Sequence, residues 1–449
     1  MKKIVLLIFM SSCFAFAQET EQVIVVGDSL IGKTINGQNV REVIGNVVIT
    51  QGDVVITCKK AIQYLVKNEF ELIGNVVATQ DSIVIKTERA YYFGDSRTAR
   101  SDTTVFLSEP GFDLNAKRGR YYYNQDLAHF TGDVVLVDSS FTLTSQELFY
   151  FSEEEKIIAK TNVQVMDTSS IIFADSLRHY REENISYAFG NVRVDNFAND
   201  LIIYGDSLYN DNKKQYSRVT GSLLFMQIDT SSSGKIDTLL ISSKVMESFN
   251  DSTKKFIATD SVKIVRGDFA SLNDKSILYN AEERIETHKL NFDSNRPIIW
   301  NEETQLVGDS IFIHLKERDL DWIDVRGSSV IISKKENYDW RYDQISGKQI
   351  NMYFEDGDIV RTEVYENVLS IYYMFEEGEP SGLIKSSSQT AKIFFDEGQA
   401  VDVRLYQSVI SEYHPENLVV GKEREFTLPQ FIIYGNRPSK QELLKMIRK

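Results

Sequence analysis

What this chain has little of narrows its chemistry first. Its 449 residues include only 2 cysteines, 6 prolines and 5 histidines. Cys13 falls in an N-terminal apolar stretch, so a processed chain keeps Cys58 alone and forms no internal disulfide; stability must then come from burial and strand pairing. The histidines, at 129, 179, 288, 314 and 414, have no paired ligand spacing, and no glycine-rich loop is built to cradle phosphate. No metal or cofactor is therefore expected. Positive charge is also scarce: 50 Lys and Arg against 65 Asp and Glu give −15, which argues against nucleic acid or an anionic membrane surface as partner. Beyond the N-terminus no apolar run is long enough to cross a membrane as a helix. Few prolines, with 22 tyrosines and 26 phenylalanines among many Val and Ile, favour strands.

The first residues read as an export signal. Lys2 and Lys3 precede an apolar run ending in Ala15-Phe16-Ala17, so residues 1–17 are predicted to be a signal peptide cleaved after Ala17. Its loss removes two basic residues and no acidic one, leaving 48 minus 65, or −17.

An internal repeat of 29 residues dominates the chain beyond the signal. Segments GNVVI, GNVVA, TTVFL, GDVVL, TNVQV and GNVRV begin at Gly45, Gly74, Thr103, Gly132, Thr161 and Gly190. Their third place is always valine: Val47, Val76, Val105, Val134, Val163 and Val192. Their fifth is apolar: Ile49, Ala78, Leu107, Leu136, Val165 and Val194. A second column holds Ile56, Ile85, Leu114, Leu143 and Ile172, and an aromatic column holds Tyr64, Phe93, Tyr122, Phe151 and Tyr180. Apolar–polar alternation between short polar turns means half-buried strands, and each unit is expected to hold several short ones. The regular array occupies 18–220 and degenerate units continue over 221–410, with starts near Gly221, Asp260, Gly327 and Glu366. DTSSSGKID (229–237) reads as a polar hairpin tip. Residues 411–449 leave the pattern; Ser439 and Glu442 form a capping box that opens a short basic helix, Leu443 to Lys449.

Gly27-Asp28-Ser29-Leu30 is similar to the nucleophile block of GDSL esterases. The Gly-Asp-Ser sequence recurs at 94–96, 205–207 and 308–310, inside the repeats, and Phe173-Ala174-Asp175-Ser176-Leu177 matches Tyr204-Gly205-Asp206-Ser207-Leu208. No helix pattern follows Ser29, and the one Asp-x-x-His, Asp126 to His129, also lies in a repeat. Ser29 is thus expected to be structural and the protein not an enzyme.

The Gly-Asn-Val units, with Ala/Gly-Asp-Ser-Leu before an aromatic, resemble the OstA (organic solvent tolerance A) family, which includes LptA-like periplasmic bridge proteins and the N-terminal domain of LptD-like translocons. The resemblance runs from about residue 23 to 410, strongest over 45–194. It implies an all-β fold: an elongated, repeat-built antiparallel β-jellyroll with a short C-terminal helix. It also implies a periplasmic location, reaching to the periphery of the outer membrane, and transport of lipopolysaccharide with its acyl chains shielded in an apolar groove. Partners would be lipopolysaccharide or a related outer-membrane lipid, other β-jellyroll components joined by edge-strand pairing, and an outer-membrane barrel protein. The candidate groove is the inward columns: Val47, Ile49, Ile56, Val76, Ile85, Val105, Leu107, Leu114, Val134, Leu136, Leu143, Val163, Val165 and Ile172. The same columns would equally build an exported structural or adhesive repeat protein with a closed core and no ligand.

Overall fold

The computed structural model describes residues 22–448 except 36, 231–235, 292, 317–318, 336 and 397. The signal-peptide segment and the centre of the 229–237 insertion lie outside them. The chain divides into two compact units: the first runs through Ser139 and includes Glu147–Glu153, the second comprises Ser140–Gln146 and everything from Glu154.

The first unit opens with β1 (Ile24–Val26), β2 (Ser29–Ile35), β3 (Gln38–Gln51) and β4 (Val54–Tyr64). It continues with β5 (Glu69–Gln80), β6 (Ile83–Phe93), β7 (Thr98–Ser101), β8 (Val105–Glu109), β9 (Phe112–Ala116), β10 (Arg118–Tyr122) and β11 (Leu127–Asp138). Strand β12 (Thr142–Phe151) is shared between the units. The second unit holds β13 (Lys156–Met166), β14 (Ser170–Tyr180), β15 (Ile185–Asn196), β16 (Leu201–Asp211), β17 (Tyr216–Thr230) and β18 (Ile236–Phe249). Next come β19 (Lys255–Arg266), β20 (Phe269–Tyr279), β21 (Arg284–His288), β22 (Ile298–Asn301), β23 (Thr304–Val307) and β24 (Ser310–Lys316). The last strands are β25 (Asp319–Lys334), β26 (Tyr342–Glu355), β27 (Asp358–Glu376), β28 (Glu379–Asp396), β29 (Gln399–Tyr406) and β30 (Ile410–Pro415). Two short helices end the chain, α1 (Glu416–Val419) and α2 (Lys440–Leu444).

The expected several short strands per unit are instead two long ones, each folded about its middle. The cause is the dipeptide that marks the repeat. Gly45-Asn46, Gly74-Asn75, Gly132-Asp133 and Gly190-Asn191 are all left-handed, with φ of 79 and 41, 80 and 48, 82 and 46, and 74 and 46°. Two consecutive left-handed residues make a bulge, and the ladder register shifts there, between Ile44 and Val47 in β3 for example. Glycine and asparagine tolerate this conformation best, so the sequence writes the bulge as Gly-Asn. Each bulge turns its strand from one sheet layer into another. Layer A gathers halves such as 40–44, 60–64 and 69–73; layer B gathers 47–51, 54–58 and 76–80. The layers face each other: Tyr92 of layer A donates a 2.6 Å hydrogen bond to Gln51 Oε1 of layer B, and in the second unit Phe225 and Phe256 meet at 5.4 Å. This is the antiparallel β-jellyroll, and its bulges recur beyond the regular repeats at Asp260-Ser261, Gly327-Ser328 and Glu366-Asn367. The third repeat, with Thr103-Thr104 in place of Gly-Asn, breaks into short strands, β7 to β10, and the chain does so again at β21 to β24.

Gly-Asp-Ser is the latch of that bulge. Asp28 donates its N–H to the Gly45 carbonyl at 2.9 Å and accepts from Asn46 Nδ2 at 3.0 Å. Asp175 accepts from Asn191 Nδ2 at 2.8 Å, and Asp206 from the Ser222 N–H at 3.1 Å. A Cβ on Gly190 would lie 2.3 Å from Asp175 Oδ2, and one on Gly205 would lie 2.4 Å from Val219 Cγ1. The glycine of the motif thus yields to a neighbouring valine, and the aspartate ties down the adjacent kink. Elsewhere lysine takes the aspartate's place, as in the Lys117–Asp133 pair at 2.6 Å. The copy at Gly94-Asp95-Ser96 departs from this and lies in the turn after β6.

In the second unit the C-terminal segment docks on the chain itself. It crosses the outer face of layer B from β28 back to β17, over the cross-strand row Met226, Leu240, Val265, Ala270, Trp300, Gln305, Ile332, Gln344 and Ile371. Leu443 packs among Leu224, Leu240 and Trp300, and Leu428 and Val419 pack with Ile371 and Tyr373. Two glutamines grip its backbone in the same way. Gln305 donates to the Ile432 carbonyl at 2.8 Å and accepts from the Tyr434 N–H at 3.0 Å; Gln344 does so with Phe426 at 3.2 Å and Leu428 at 2.8 Å. Buried Arg341 holds the start of this strap through Glu416 at 2.6 Å. Half of the capping box forms: the Glu442 N–H donates to Ser439 Oγ at 3.2 Å, while the Glu442 carboxylate accepts from Lys263 at 2.6 Å; the α-helix so capped spans Lys440–Leu444 and runs into a 3₁₀ turn, Lys445–Arg448.

Candidate functional site

The apolar columns become one ladder. In the first unit Ile49, Ile56, Ala78, Ile85, Leu107, Leu114 and Leu136 are successive cross-strand partners on the inner face of layer B. Eleven of the fourteen candidate groove residues are buried: Val47, Ile49, Ile56, Val76, Val105, Leu107, Leu114, Val134, Leu136, Leu143 and Val163. Ile85, Val165 and Ile172 are half-buried. A side chain enclosed by protein on every side offers no surface to a lipid unless the layers part.

The first unit's interior is filled by aromatics that face this ladder from layer A. The aromatic column read from the sequence is one residue out of phase: Tyr64, Phe93, Tyr122, Phe151 and Tyr180 are only half-buried. The inward positions precede them, and here stand Gln63, Tyr92, Tyr121, Tyr150 and His179, all buried. Strand alternation sets this, because Ala61 and Ala90 on the same strands already point inward. Phe70 tilts against Tyr92 at 6.2 Å, and Tyr121 meets Tyr123 edge-on at 4.7 Å. At the margin Arg97 pairs with Asp53, and Gln51 donates to the Gly94 carbonyl at 3.1 Å, joining turns of opposite layers. A cavity between Ile85, Val105, Gly119 and Phe130 measures about 30 Å³. Small-molecule sites measure roughly 300–1,000 Å³.

Strands β13–β16 of the second unit differ. On layer B, Val165, Ile172, Val194 and Ile203 are cross-strand neighbours and all are half-buried. Opposite them on layer A lie buried Ala159, Leu177, Ala188 and Leu208, and small residues Ala174 and Gly205 line the fold corner. The margins are polar. Layer A carries His179, Ser186, Asn210 and Ser217 in one row, with His179 Nδ1 3.0 Å from Ser186 Oγ and Ser217 donating to Asn210 Oδ1 at 2.6 Å. Layer B carries Ser170, Asn196 and Gln227 with Leu201 between them. Beside them burial would raise the Asp167 carboxyl, but hydrogen bonds from Ser169 and Ser170 outweigh this and hold it below its usual range. The result is a half-exposed apolar strip, a trough floor, between hydrogen-bonding margins whose ionised group is the Asp167 carboxylate.

The serines of the Gly-Asp-Ser sequences occupy different settings. Ser29 opens β2, exposed and opposite Ile44; Ser207 Oγ lies 2.6 Å from Thr220 Oγ1. Ser310 is the exception, with its Oγ 3.2 Å from His288 Nδ1 and His288 Nε2 3.0 Å from Glu286 Oε2. That is the connectivity of a nucleophile, base and carboxylate. Acyl transfer also needs N–H donors aimed at the developing oxyanion, and β24 is paired on both sides, to β21 and β25, which commits its own N–H groups to ladders. The remaining histidines rest on rings or in the margin, His129 on Phe149 at 4.3 Å and His314 on Trp322 at 3.9 Å. Among the described residues no cluster of His, Cys, Asp and Glu is arranged to hold a metal.

Known proteins match part of this chain. The model of a family described as OstA-like protein matches residues 20–171 and again 152–232. A comparison with curated proteins found no match. Among solved structures one match is LptH, the LptA-homologous periplasmic component of the lipopolysaccharide transport device of Pseudomonas aeruginosa. It is 16% identical, covers 31% of this chain and 82% of its own, and has a TM-score of 0.17. The family match ends at residue 232, while the folded strands continue past residue 390. From residue 20 to residue 232, a stretch that includes β1–β11 of the first unit and the trough strands β13–β16, this chain is similar to the OstA-like family.

Proposed function

We propose that the protein carries lipopolysaccharide or a related lipid outside the cytoplasm, holding acyl chains in the β13–β16 trough, while the first unit is closed scaffold. The observation that carries this reading is the half-buried strip Val165–Ile172–Val194–Ile203 between polar margins, inside the OstA-like stretch. At about 25 cal/mol per Å² of apolar surface, covering such a strip and the chains laid on it supplies affinity with no charged clamp. The sequence holds no phosphate-cradling loop, so direction is assigned to partners. The strand edges suit such contacts. In the first unit β1 and β2 present exposed Ile24, Val26, Leu30 and Ile31; in the second β29 and β30 present exposed Val401, Val403 and Ile410. Unpaired edges with apolar side chains invite pairing with another sheet.

The test is photo-crosslinking in cells. A crosslinker at Val194 or Ile203 captures lipopolysaccharide; one at Arg193, on the other face of β15, or at fully buried Leu136 does not. Equal capture at Val194 and Arg193, or at neither, would sink the proposal. A closed-core structural protein is the second reading, favoured by the filled first unit, and it expects no adduct at any of these positions.

A further inference from the structure

The rim of the trough bears on what kind of lipid enters it. On layer A a chain of amides and hydroxyls runs along the margin: Ser217 donates to Asn210, Asn210 Nδ2 to Asn212 Oδ1 at 2.8 Å, and Asn212 Nδ2 to Asn184 Oδ1 at 2.8 Å. On layer B Gln227 Nε2 points to the Asn199 carbonyl at 3.4 Å, and Asn199 itself donates to Asn196 Oδ1 at 3.0 Å through its backbone and 3.1 Å through its side chain. Each amide has further donor and acceptor capacity beyond the bonds it makes here.

The charges around this rim do not favour an anion. Beside the layer B row stands an ionised carboxylate, Asp167. Of the cations in the adjacent turns, Lys214 pairs with Asp211 at 2.9 Å and Lys213 donates to the Glu182 carbonyl at 2.6 Å. Arg181 stands in sequence beside Glu182 and Glu183. Recognition of phosphate normally uses arginine forks, lysines or a helix N-terminus facing the anion, whereas amides and hydroxyls in register match a headgroup of alternating donors and acceptors.

We infer that the β13–β16 trough selects amphiphiles whose headgroup is neutral and rich in hydroxyl or amide groups, such as a glycosylated lipid, over those headed by a phosphate. The inference rests on the lipid-carrier reading and adds the headgroup class to it.

The test sets two lipids against each other on the purified full-length chain. The probes are monoglucosyl-dioleoylglycerol and dioleoyl phosphatidic acid, equimolar in neutral detergent micelles, so that the acyl chains are identical. A photo-crosslinking residue at Val194 captures whichever lipid occupies the floor, and mass spectrometry reads the ratio of adducts. The glucosyl adduct should exceed the phosphatidic acid adduct about tenfold, the size of a difference of one or two hydrogen bonds. Ser186→Ala with Asn210→Ala should bring the ratio towards one through loss of the glucosyl adduct, and a ratio that stays at about ten overturns the rim's role. A wild-type ratio of one or below, with both adducts formed, overturns the headgroup inference and leaves the trough standing. No adduct from either lipid overturns the trough, and the inference with it.

Discussion

The first unit and strands β13–β16 share a repeat, a kink and the same inward aliphatic column, yet one interior is closed and the other half-open. The difference lies in the row that faces the column. In the first unit that row reads Gln63, Phe70, Tyr92, Ala99, Tyr121 and Ala128, and its rings fill the space between layers. In the second it reads Ile157, His179, Ser186, Asn210 and Ser217, and these cannot span it. Thus the aliphatic column is common to both regions, and whether it becomes core or floor depends on the size of the residues across from it.

Mutations can break this contrast. The largest effect is expected from a charge in each interior. Leu136→Asp buries an unpaired carboxylate and should cost on the order of 4 kcal/mol, enough to unfold the first unit in a thermal melt followed by circular dichroism. Val194→Asp, at a half-buried site, should cost under about 1 kcal/mol and remove lipid capture instead. Equal losses of stability would erase the distinction. Next is Tyr92→Ser, which deletes a ring from the closed interior along with its bond to Gln51 and should cost about 3 kcal/mol in denaturant titration. Its counterpart, Ser186→Phe with Asn210→Tyr, supplies rings to the trough and should abolish crosslinking at Ile203 while the melting temperature holds or rises.

Smaller effects sharpen the account of the frame that both regions share. Gly205→Ala forces a methyl onto Val219 and should cost about 1–3 kcal/mol, read as a lower midpoint in urea. Thr161 holds φ of 65° with a β-branched side chain, where most repeats have glycine. Thr161→Gly should therefore stabilise the fold by about 0.5–1 kcal/mol, and a loss of that size would mean that the threonine side chain is needed at the bulge.

Much of the frame is legible because the 29-residue spacing survives in the letters. Val47, Val76 and Val134 repeat, and all are buried as the alternation requires. The Gly-Asn pair is equally visible, but spacing alone makes it only a marker of repeats; its left-handed preference is the signal for a kink, and with it two long strands replace several short ones. The aromatic column slips by one residue because Tyr91-Tyr92 and Tyr121-Tyr122-Tyr123 put rings on both faces, and only partners across the sheet decide which is inward. The contrast between core and trough is illegible for another reason. Ile56 and Ile172 are the same letter in the same column, one buried and the other half-buried, and what differs is a residue in the facing layer, which no local pattern reports. Gln305 and Gln344 give no signal either, since a clamp on backbone needs no matching side chain.

The strap also imposes an order in time. A chain made from its N-terminus completes β17 to β28 before the segment that covers their outer face exists. Until the last thirty or so residues arrive, Leu224, Leu240, Trp300 and Ile371 stand uncovered on one surface. The strap then travels against the direction of synthesis, reaching the oldest strands of its row last, at Leu443. Only a finished chain can hide that surface, so a molecule cut short near its end differs from a whole one in stickiness more than in shape.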